Sequence, residues 1–493
     1  MDSLMSFSGL SQALGARLFA GEGKQNEGFS SVCIDSRELL PGALFVALRG
    51  SAQDGHRFVD AAFRAGASGA LVDFSALEDP DLGLRDLVQK WNRALVAVED
   101  TLKGLQAAAG VYLKQFSKLL KIGITGSSGK TTTKEIAAAI IGQEKSVITN
   151  KGNLNSETGL PLSVFNIRSH HEVGIFEAGM NRRGEIAELA RVLNPDIALI
   201  TNIGSAHIGI LGSREAIAEE KKKIFSEFTG TNTALIPADD DYRDFLAEDI
   251  RGRKVFYRAS SLPGLGGMRD LGLEGTEIVW EGEAIRFGLP GKFNLANALA
   301  AVALAMELPV SSGSVRRGLE SVKPLFGRGE ILYGRSTVIR DCYNSNPESA
   351  EAALDFCDGL EWPGRRVYVM GSMLELGDIS REAHAALGRR LADSRGDMVF
   401  LFGEEMRAAA DVLEEAALQK TTVPVFYTRD MGELSRGLDE FIGSGDLVLL
   451  KGSRGCALEN LTEILTGTIR LEPGLRSGPA FSCGGEKGER DVS

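Results

Sequence analysis

Short apolar runs alternate with longer amphipathic stretches from about residue 119 to about residue 322, a pattern typical of α/β proteins. The strand-like runs fall at 121–125, 173–176, 197–201 and 233–236. The helical patterns between them predict a parallel sheet covered on both faces, with functional residues beyond the carboxyl ends of its strands. A glycine-rich stretch at 262–275 interrupts the pattern before an alanine-rich helix predicted at 295–308.

Two further α/β units are predicted on either side of this central one. In residues 1–118, strand-like runs lie at 44–48, 69–72 and 94–98, and helices are predicted at 58–67 and 101–116. In residues 323–471, the strand-like runs lie at 338–341, 366–370, 398–402 and 447–450. We therefore expect a small mixed α/β domain (1–118), a central parallel-sheet domain (119–322) and a Rossmann-like C-terminal domain. Residues 472–493 are rich in glycine, serine and charge, which predicts a disordered tail.

Composition narrows the class of protein. The 493 residues carry a net charge of −12, which argues against a nucleic-acid partner. The sequence has neither a run of about 18 apolar residues nor a basic, apolar start, so we expect no membrane span and no secretory signal. The five cysteines are scattered without a C-x-x-C pair, which is typical of the reducing cytoplasm and argues against a cysteine zinc site.

The segment GITGSSGKT at 123–131 carries the clearest chemistry. It follows a predicted strand and opens into a helix predicted at 132–141, and glycines at such a turn let backbone N–H groups converge on phosphate. The Lys130 ammonium would then meet the terminal phosphates of a nucleotide, and the Thr131 hydroxyl would meet Mg²⁺. The spacing is a variant, because the usual G-x-x-x-x-G-K pattern requires glycine where this chain has Ile124. The predicted nucleotide-binding residues of this loop are Gly126, Ser127, Ser128, Gly129, Lys130, Thr131 and Thr132.

Three ionisable side chains occur downstream of this loop. Glu177 and His207 each come just after an apolar run, and Lys221 lies in a helix predicted at 216–228. Taken alone, a glutamate or lysine in such a position is more often merely solvated, and this stays the alternative for Glu177 and Lys221. Beside the Thr131 hydroxyl, a carboxylate and an imidazole make a suitable environment for Mg²⁺.

Ten sequence motifs occur in order between about residue 30 and about residue 465. They are DSRELLPGALFVALRGSAQDGHRFVDAA from 35, GITGSSGKTTTKE from 123, NLNSETGLPLSVF from 153, IFEAGMNRRGEIAEL from 175, TNIGSAHIGILGS from 201, IAEEKKKIF from 217, GKFNLANALAA from 291, DCYNSNPES from 341, GSMLELG from 371 and LLKGSRG from 449. In these motifs the chain resembles the Mur ligases of peptidoglycan synthesis.

The resemblance implies an ATP-dependent amide ligase. The γ-phosphoryl group of ATP would pass to the terminal carboxylate of UDP-N-acetylmuramoyl-tripeptide, and the amine of D-alanyl-D-alanine would displace phosphate from the acyl phosphate. The motif D-x-Y-N-x-N-P, with E-L-G further on, is similar to the branch that adds this dipeptide. The branch that adds a diamino acid carries a D-N-P-R-like motif, which this sequence lacks, and it stays the main alternative.

The resemblance also implies roles in the chemistry itself. Lys130, His207 and Lys221 would be catalytic. Thr131 and Glu177 would hold one Mg²⁺ ion, and His207 would help to hold a second one. Lys221 aligns with the lysine that the family carbamylates, which would turn its amine into an anionic oxygen ligand.

Binding contacts are implied in all three domains. Those to the nucleotide would come from Asn294, Asn297, Arg328 and Asp341. Those to the UDP-linked peptide or the dipeptide would come from Ser36, Arg37, Asn153, Asn155, Asn344 and Asn346. A helix N-cap is the alternative for Asn294, and an ordinary turn is the alternative for a UDP contact at 54–56. Lys451 and Arg454 are expected at the nucleotide or the sugar-peptide.

Two positions depart from the family pattern, since Ser156 stands where asparagine is common and Ser372 where G-D-M is usual.

Two more alternative functions stay open. One is a ligase like folylpolyglutamate synthase, against which the N-terminal motif argues, and the other is a phosphate-loop switch that binds ATP without ligating anything. We expect a cytoplasmic monomer without nucleic-acid or membrane partners, and hinges near residues 118 and 322 that close on ATP.

Overall fold

A computed structural model describes residues 3–50, 53–419 and 423–467 of the chain. It confirms an α/β fold with a small N-terminal domain, a central parallel-sheet domain and a Rossmann-like C-terminal domain. The tail predicted at 472–493 lies outside the described residues. Within the described ranges, no helix has the length and apolar character needed to cross a membrane.

The N-terminal domain is built on a five-stranded sheet. The strands of the whole domain, including a separate two-stranded pair, are β1 (Met5–Ser6), β2 (Arg17–Ala20), β3 (Gly28–Phe29), β4 (Ser31–Cys33), β5 (Ala43–Val46), β6 (Gly69–Asp73) and β7 (Ala94–Val98). Its helices are α1 (Phe7–Leu14), α2 (Val59–Arg64), α3 (Phe74–Leu77), α4 (Leu84–Trp91) and α5 (Thr101–Leu113), with 3-10 turns at Lys24–Asn26 and Gly55–Phe58. The sheet order is β2-β7-β6-β5-β4, with only β2 antiparallel to its neighbour, and β1 pairs with β3. The predicted runs at 44–48, 69–72 and 94–98 are confirmed as β5, β6 and β7, which are buried along their whole length.

The central domain has a six-stranded, fully parallel sheet. Its strands are β8 (Leu120–Thr125), β9 (Val147–Thr149), β10 (Val173–Glu177), β11 (Ile197–Ile200), β12 (Thr233–Pro237) and β13 (Arg253–Tyr257). Its helices are α6 (Lys130–Ile141), α7 (Gly159–Val164), α8 (Glu185–Leu193), α9 (Ile208–Leu211), α10 (Arg214–Lys222) and α11 (Arg243–Ala247), with 3-10 turns at Lys223–Phe225 and Ala259–Ser261. The strand order is β13-β12-β11-β8-β10-β9. Because β8 lies between β10 and β11, the loops that follow these three parallel strands meet at one edge of the sheet, where ligands bind in such folds.

A small antiparallel sheet follows and accounts for the interruption at 262–275. Its strands are β14 (Leu265–Asp270), β15 (Thr276–Trp280) and β16 (Glu283–Phe287), with a 3-10 turn at Gly272–Glu274. The alanine-rich helix is confirmed as α12 (Lys292–Ala305), and α13 (Ser312–Ser321) follows it. Both helices pack against α6, the helix that begins at the phosphate loop.

The C-terminal domain has a second six-stranded sheet. Its strands are β17 (Glu330–Tyr333), β18 (Thr337–Asp341), β19 (Arg366–Gly371), β20 (Met398–Phe402), β21 (Val425–Thr428) and β22 (Leu447–Lys451). Its helices are α14 (Pro347–Gly359), α15 (Ser380–Ala392), α16 (Arg407–Gln419), α17 (Met431–Phe441) and α18 (Thr462–Thr466), with 3-10 turns at Gly377–Ile379, Arg454–Cys456 and Leu458–Leu461. The order is β17-β18-β22-β19-β20-β21, with only β17 antiparallel to its neighbour. The four predicted strands are confirmed, and β17 and β21 lie on the two edges, where sequence patterns are weakest.

The two junctions between domains differ in kind. Helix α5 of the N-terminal domain packs on α7 and α8, so one apolar core runs through both domains. Within that core, the Tyr112 hydroxyl donates to the Ile167 carbonyl over 2.7 Å. Rotation about a hinge near residue 118 would expose this core, which argues against movement there. The junction with the C-terminal domain includes polar contacts between loops, described below.

Candidate active site

The phosphate loop joins β8 to α6 and depends on two glycines. Gly126 and Gly129 have φ angles of +150° and +78°, which L-residues with side chains rarely adopt. A Cβ atom on Gly129 would lie only 2.0 Å from Oδ1 of Asn297 on α12. This glycine therefore lets the loop and the Asn297 amide approach each other closely.

The loop is braced by the segment that follows β11. The Ser127 N–H donates to the Asn202 carbonyl (3.0 Å), and the Ser128 N–H donates to the Asn202 side chain (3.1 Å). The Thr201 hydroxyl donates to the Ser128 carbonyl over 2.6 Å. These two amides are therefore engaged within the protein. The first-turn amides of α6 have no acceptor inside the helix, and they remain the donors best suited to phosphate.

Two lysine side chains meet at one carbonyl beneath this loop. Nζ of Lys130 and Nζ of Lys221 both donate to the Gly126 carbonyl over 2.8 Å. Lys221 is only 1% exposed, and its burial, together with the Lys130 ammonium, holds its pKa well below the usual range. Burial also lowers the pKa of Lys130, an effect that Glu177 opposes and Arg328 reinforces.

Glu177 ends β10 and is 2% exposed. Its Oε2 accepts from the Thr131 hydroxyl (2.6 Å) and its Oε1 accepts from the Asn155 amide (2.6 Å). The Asn150 side chain fixes the backbone, since it accepts from the Glu177 N–H (2.9 Å) and donates to the Glu177 carbonyl (3.0 Å). A buried carboxylate is thus held beside a hydroxyl at the start of the nucleotide-binding helix.

His207 lies between β11 and α9 with a left-handed φ of +66°. Its Nδ1 atom is 2.8 Å from Oε2 of Glu375 in the C-terminal domain. This distance is that of an ion pair, but the angles do not meet those of a hydrogen bond. Nδ1 accordingly has no hydrogen-bond partner in the described part of the chain. The contact holds the pKa of Glu375 below its usual range.

A cleft of about 810 Å³ between the central and C-terminal domains brings most of the predicted residues together. This volume is within the range of ligand pockets, roughly 300–1,000 Å³. The predicted residues that line it are Ser127, Ser128, Gly129, Lys130, Thr131, Thr132, Asn153, Asn155, Glu177, His207, Asn294, Asn297, Arg328, Asp341, Asn344, Asn346, Lys451 and Arg454. Gly126 and the buried Lys221, which donates to the Gly126 carbonyl, are not part of its lining. The described lining also includes residues that sequence reasoning missed: Asn202, Tyr257, Tyr343, Glu348 and Glu375.

The C-terminal side of the cleft is basic and aromatic. The Arg328 guanidinium stacks on the Tyr343 ring, 3.9 Å from its centre. Lys451 is 1% exposed; its Nζ lies 3.1 Å from Oδ2 of Asp341 and donates to the Asn344 carbonyl over 2.7 Å. Lys451 thus holds Asp341 in place within the cleft.

Some predicted residues already have partners within the protein. Asn346 is the N-cap of α14, and its side chain accepts from the Ser349 N–H over 2.9 Å. Asn294 is not an N-cap, because Gly291 occupies that position and the Asn294 amide donates to the Pro290 carbonyl over 2.8 Å. The N-cap alternative for Asn294 is therefore wrong.

The predicted residues of the N-terminal domain lie outside the cleft. Ser36 is half-buried, and the exposed Arg37 side chain pairs with Asp35 over 2.7 Å. His56 is 1% exposed; its Nδ1 lies 2.6 Å from Oδ1 of Asp54, and its Nε2 accepts from the Asp73 N–H over 2.9 Å. The two ring nitrogens of His56 are thus occupied within the domain, which opposes a UDP contact at this imidazole.

Comparison with known proteins agrees with this architecture. Three family models match the chain: "Mur ligase family, catalytic domain" at 28–110, "Mur ligase middle domain" at 124–305, and "Mur ligase, glutamate ligase domain" at 327–454. A UDP-N-acetylmuramoyl-tripeptide–D-alanyl-D-alanine ligase of Treponema pallidum is 43% identical over 464 residues, which cover 94% of this chain and 99% of that relative. The chain belongs to the Mur ligase family.

Solved structures of Mur ligases match the whole fold. MurF from Acinetobacter baumannii superposes with a TM-score of 0.83 at 28% identity, covering 95% of this chain and all of that one. MurF from Thermotoga maritima in complex with ADP gives a TM-score of 0.74 at 28% identity, covering 89% of this chain and 97% of that one. Folylpolyglutamate synthase of Mycobacterium tuberculosis covers 74% of this chain at 18% identity with a TM-score of 0.56, and this likeness shows the fold alone.

Proposed function

We propose that this protein is an ATP-dependent ligase that joins D-alanyl-D-alanine to UDP-N-acetylmuramoyl-tripeptide. The observation that carries the proposal is the cleft: Lys130, Thr131, Glu177 and His207 from the central domain face Arg328 from the C-terminal one. The Treponema pallidum relative of that name, which matches over nearly its full length, supports the choice of substrates.

The chemistry follows from the leaving-group problem of a carboxylate. An amine does not displace oxide from carbon, so the acceptor carboxylate first attacks the γ-phosphorus of ATP, and ADP leaves. The dipeptide amine then attacks the carbonyl carbon of the acyl phosphate, loses a proton and expels phosphate, which leaves an amide. Lys130 and the N-terminus of α6 hold and neutralise the phosphates during both steps. Asn294 and Asn297 bind adenine, while Arg328 and Asp341 reach the nucleotide from the C-terminal domain.

The donor set around Glu177 fits Mg²⁺, which prefers oxygen ligands. The Thr131 hydroxyl and the Glu177 carboxylate, 2.6 Å apart, are such ligands and are fixed by neighbouring side chains. No group of three His, Cys, Asp or Glu side chains in the described chain is placed to hold a metal by itself. ATP phosphates and water would supply the further ligands of Mg²⁺, and the ion would neutralise the charge of the phosphates when bound. Thr131 and Glu177 would hold one ion and His207 would help to hold another.

We also propose that Lys221 is carbamylated. Its amine and that of Lys130 share one carbonyl acceptor, so two positive charges would repel each other there. Burial favours the uncharged amine of Lys221, and that is the form that attacks CO₂. The new N–C bond forms with loss of one proton, and the resulting anion would attract Lys130 and offer oxygen to a metal. If the Lys221→Ala variant is as active as the unsubstituted protein, this role of Lys221 is refuted.

The remaining parts of the proposal concern the substrates and the cell. The N-terminal domain, residues 1–118, binds the UDP part through the region of Ser36 and Arg37, and Asn153 with Asn155 contacts the peptide. Asn344 and Asn346 lie in the cleft and are the proposed contacts of the dipeptide. Because ATP is a substrate, we place the reaction in the cytoplasm, and we propose a monomer.

One assay separates this function from its rivals. Purified protein is supplied with ATP and, as the acceptor, either the UDP-N-acetylmuramoyl-dipeptide precursor or a UDP-N-acetylmuramoyl-tripeptide ending in lysine or diaminopimelate. D-alanyl-D-alanine, lysine or diaminopimelate is then added as the amine. ADP release and product mass are recorded. We expect a dipeptide adduct. A single diamino acid added to the UDP-dipeptide precursor would favour the other branch, and ATP hydrolysis unaffected by any muropeptide would favour a switch.

Matched lysine variants test the site within the same assay. Lys130→Ala should abolish turnover. Lys222→Ala should leave it nearly unchanged, because Nζ of Lys222 donates to the Phe245 carbonyl (2.8 Å) away from the phosphate loop. Equal losses in both variants would contradict the assignment of Lys130.

A further inference from the structure

The segment at 201–211, a loop that leads into α9, contacts two parts of the molecule at once. Near its start, Thr201 and Asn202 brace the phosphate loop. Further on, the N–H and hydroxyl of Ser205 donate to the Glu348 carboxylate of the C-terminal domain over 2.9 and 2.7 Å. His207 follows Ser205 by two residues and directly precedes α9.

The contact beside His207 is unusually close. The Gly209 N–H donates to the Glu375 carbonyl over 3.0 Å. A Cβ atom on Gly209 would lie 2.4 Å from the backbone nitrogen of Gly377, and one on Gly377 would lie 2.6 Å from Cα of Gly209. Two glycines thus let the backbones of the two domains touch beside the contact between His207 and Glu375.

His207 and Glu375 face each other in matching conformations. Each has a φ of +66°, a region that residues other than glycine seldom occupy and that clusters at functional sites. His207 Nδ1 is shielded from solvent, and the Glu375 carboxylate is 2.8 Å away. Although the contact lacks the angles of a hydrogen bond, the negative charge of Glu375 so near Nδ1 favours the tautomer that carries its proton there, which leaves the lone pair on Nε2.

We propose that Glu375 is a positioning residue for His207, supplied by the C-terminal domain, so that docking of this domain sets the imidazole for metal binding. The inference rests on the proposed function, because it assigns His207 to the second Mg²⁺ site. Glu375 touches neither phosphate nor substrate in this role; it orients the ring that does. Metal binding and domain closure are then linked by one side chain.

Glu348 provides the matched control, because it joins the first turn of α14 in the C-terminal domain to Ser205 and, in the described part of the chain, forms no hydrogen bond or ion pair with His207. The full-length variants E375M and E348M each remove one carboxylate from the junction. E375Q keeps a carbonyl oxygen at this position but removes the negative charge. Its effect should lie between those of the unsubstituted protein and E375M, which separates the contribution of the oxygen from that of the charge.

The first readout is Mn²⁺ affinity, measured by electron paramagnetic resonance with a non-hydrolysable ATP analogue. We expect E375M to weaken the second ion about 10- to 100-fold, as loss of an outer partner of a metal-binding histidine does, and E348M to weaken it less than about twofold. The second readout needs no metal. In histidine-labelled protein, with His207→Gln to assign the signal, nitrogen NMR should show the Nδ1–H tautomer in unsubstituted protein and E348M, and its loss in E375M.

Equal effects of E375M and E348M would overturn the inference, because Glu375 would then be only a fastener between domains. An unchanged tautomer and affinity in E375M would overturn it as well, while the ligation assay on unsubstituted protein could still succeed. An unsubstituted protein that does not ligate would refute the proposed function, and one that binds no second ion would overturn the present inference.

Discussion

Replacement of Gly129 by alanine tests the proposed phosphate loop at its tightest point. Gly129 is the N-cap of α6 with a φ of +78°, a conformation that costs an L-residue roughly 1–2 kcal/mol. Its new Cβ would lie 2.0 Å from Oδ1 of Asn297, whereas ordinary contact begins at 3.4 Å, so the two must separate by 1.4 Å. If the loop relaxes to relieve this strain, ATP binding must restore it, which alone weakens binding by a factor of about 5–30.

Equilibrium binding of ATP, measured by calorimetry, checks this expectation. The close approach to Asn297 adds to the penalty, so Gly129→Ala should cost less in an Asn297→Ala background than in the unsubstituted protein. Gly184→Ala is the matched control: Gly184 is the N-cap of α8 with a φ of +87°, but open space surrounds its Cβ position. That variant should lose stability and keep its ATP affinity. Unchanged affinity in Gly129→Ala would refute the reasoning.

Three further predictions concern stability and one substrate contact. Gly318→Ala should destabilise by about 1–3 kcal/mol in thermal unfolding, because its Cβ would lie 2.4 Å from Cα of Ile140 in α6. In the same helix, a Cβ on Gly313 would meet only the end of the Arg317 side chain at 3.2 Å and the Ser311 hydroxyl at 3.9 Å, so Gly313→Ala should be neutral or stabilising. Serine hydroxyls and an amide at the start of α13 hold the pKa of Glu144 at about 2. The stability lost in Glu144→Gln should therefore be largest above pH 4.5 and vanish as the pH falls towards 2. A stability difference between the two proteins that does not change with pH would contradict this. Asn346→Ala should cost about 1 kcal/mol of stability because α14 loses its N-cap, whereas Asn346→Asp keeps the cap. If Asn346→Asp raises the KM for the dipeptide at an unchanged Tm, Asn346 contacts the substrate. An unchanged KM would refute that contact.

Much of the scaffold was predictable because its strands are continuously apolar. The runs at 94–98 and 398–402 coincide with β7 and β20, which are buried between layers and so carry no alternation to confuse the pattern. The convergence of Glu177 and His207 on the phosphate loop was also predictable, since residues after neighbouring parallel strands share one sheet edge. Strands with little periodicity, such as β14 in its glycine-rich surroundings, gave no usable signal.

Contacts between distant segments were not predictable from local pattern. Nothing near Asn155 indicates that its amide binds the Glu177 carboxylate, and nothing near Gly129 indicates that Asn297 occupies the space of its missing side chain. Glu375 belongs to the E-L-G motif, which served only to distinguish branches of the family. Its partner lies in another domain, and sequence periodicity reports on burial rather than on which surfaces meet.

The two domain junctions bear on where this enzyme can move. The N-terminal and central domains share an apolar core through α5, and separating them would expose large side chains such as Phe165 to water. The central and C-terminal domains meet through the Glu348 and Glu375 contacts, whose polar groups water can satisfy when they part, and through Ile208 and Leu273, which pack against the C-terminal core. We therefore expect opening near residue 322 to cost less than opening near 118, which would divide a continuous apolar core. The junction near residue 322 is also the one that contains the cleft and the Glu375 carboxylate beside His207, so opening there to admit ATP would separate Glu375 from His207.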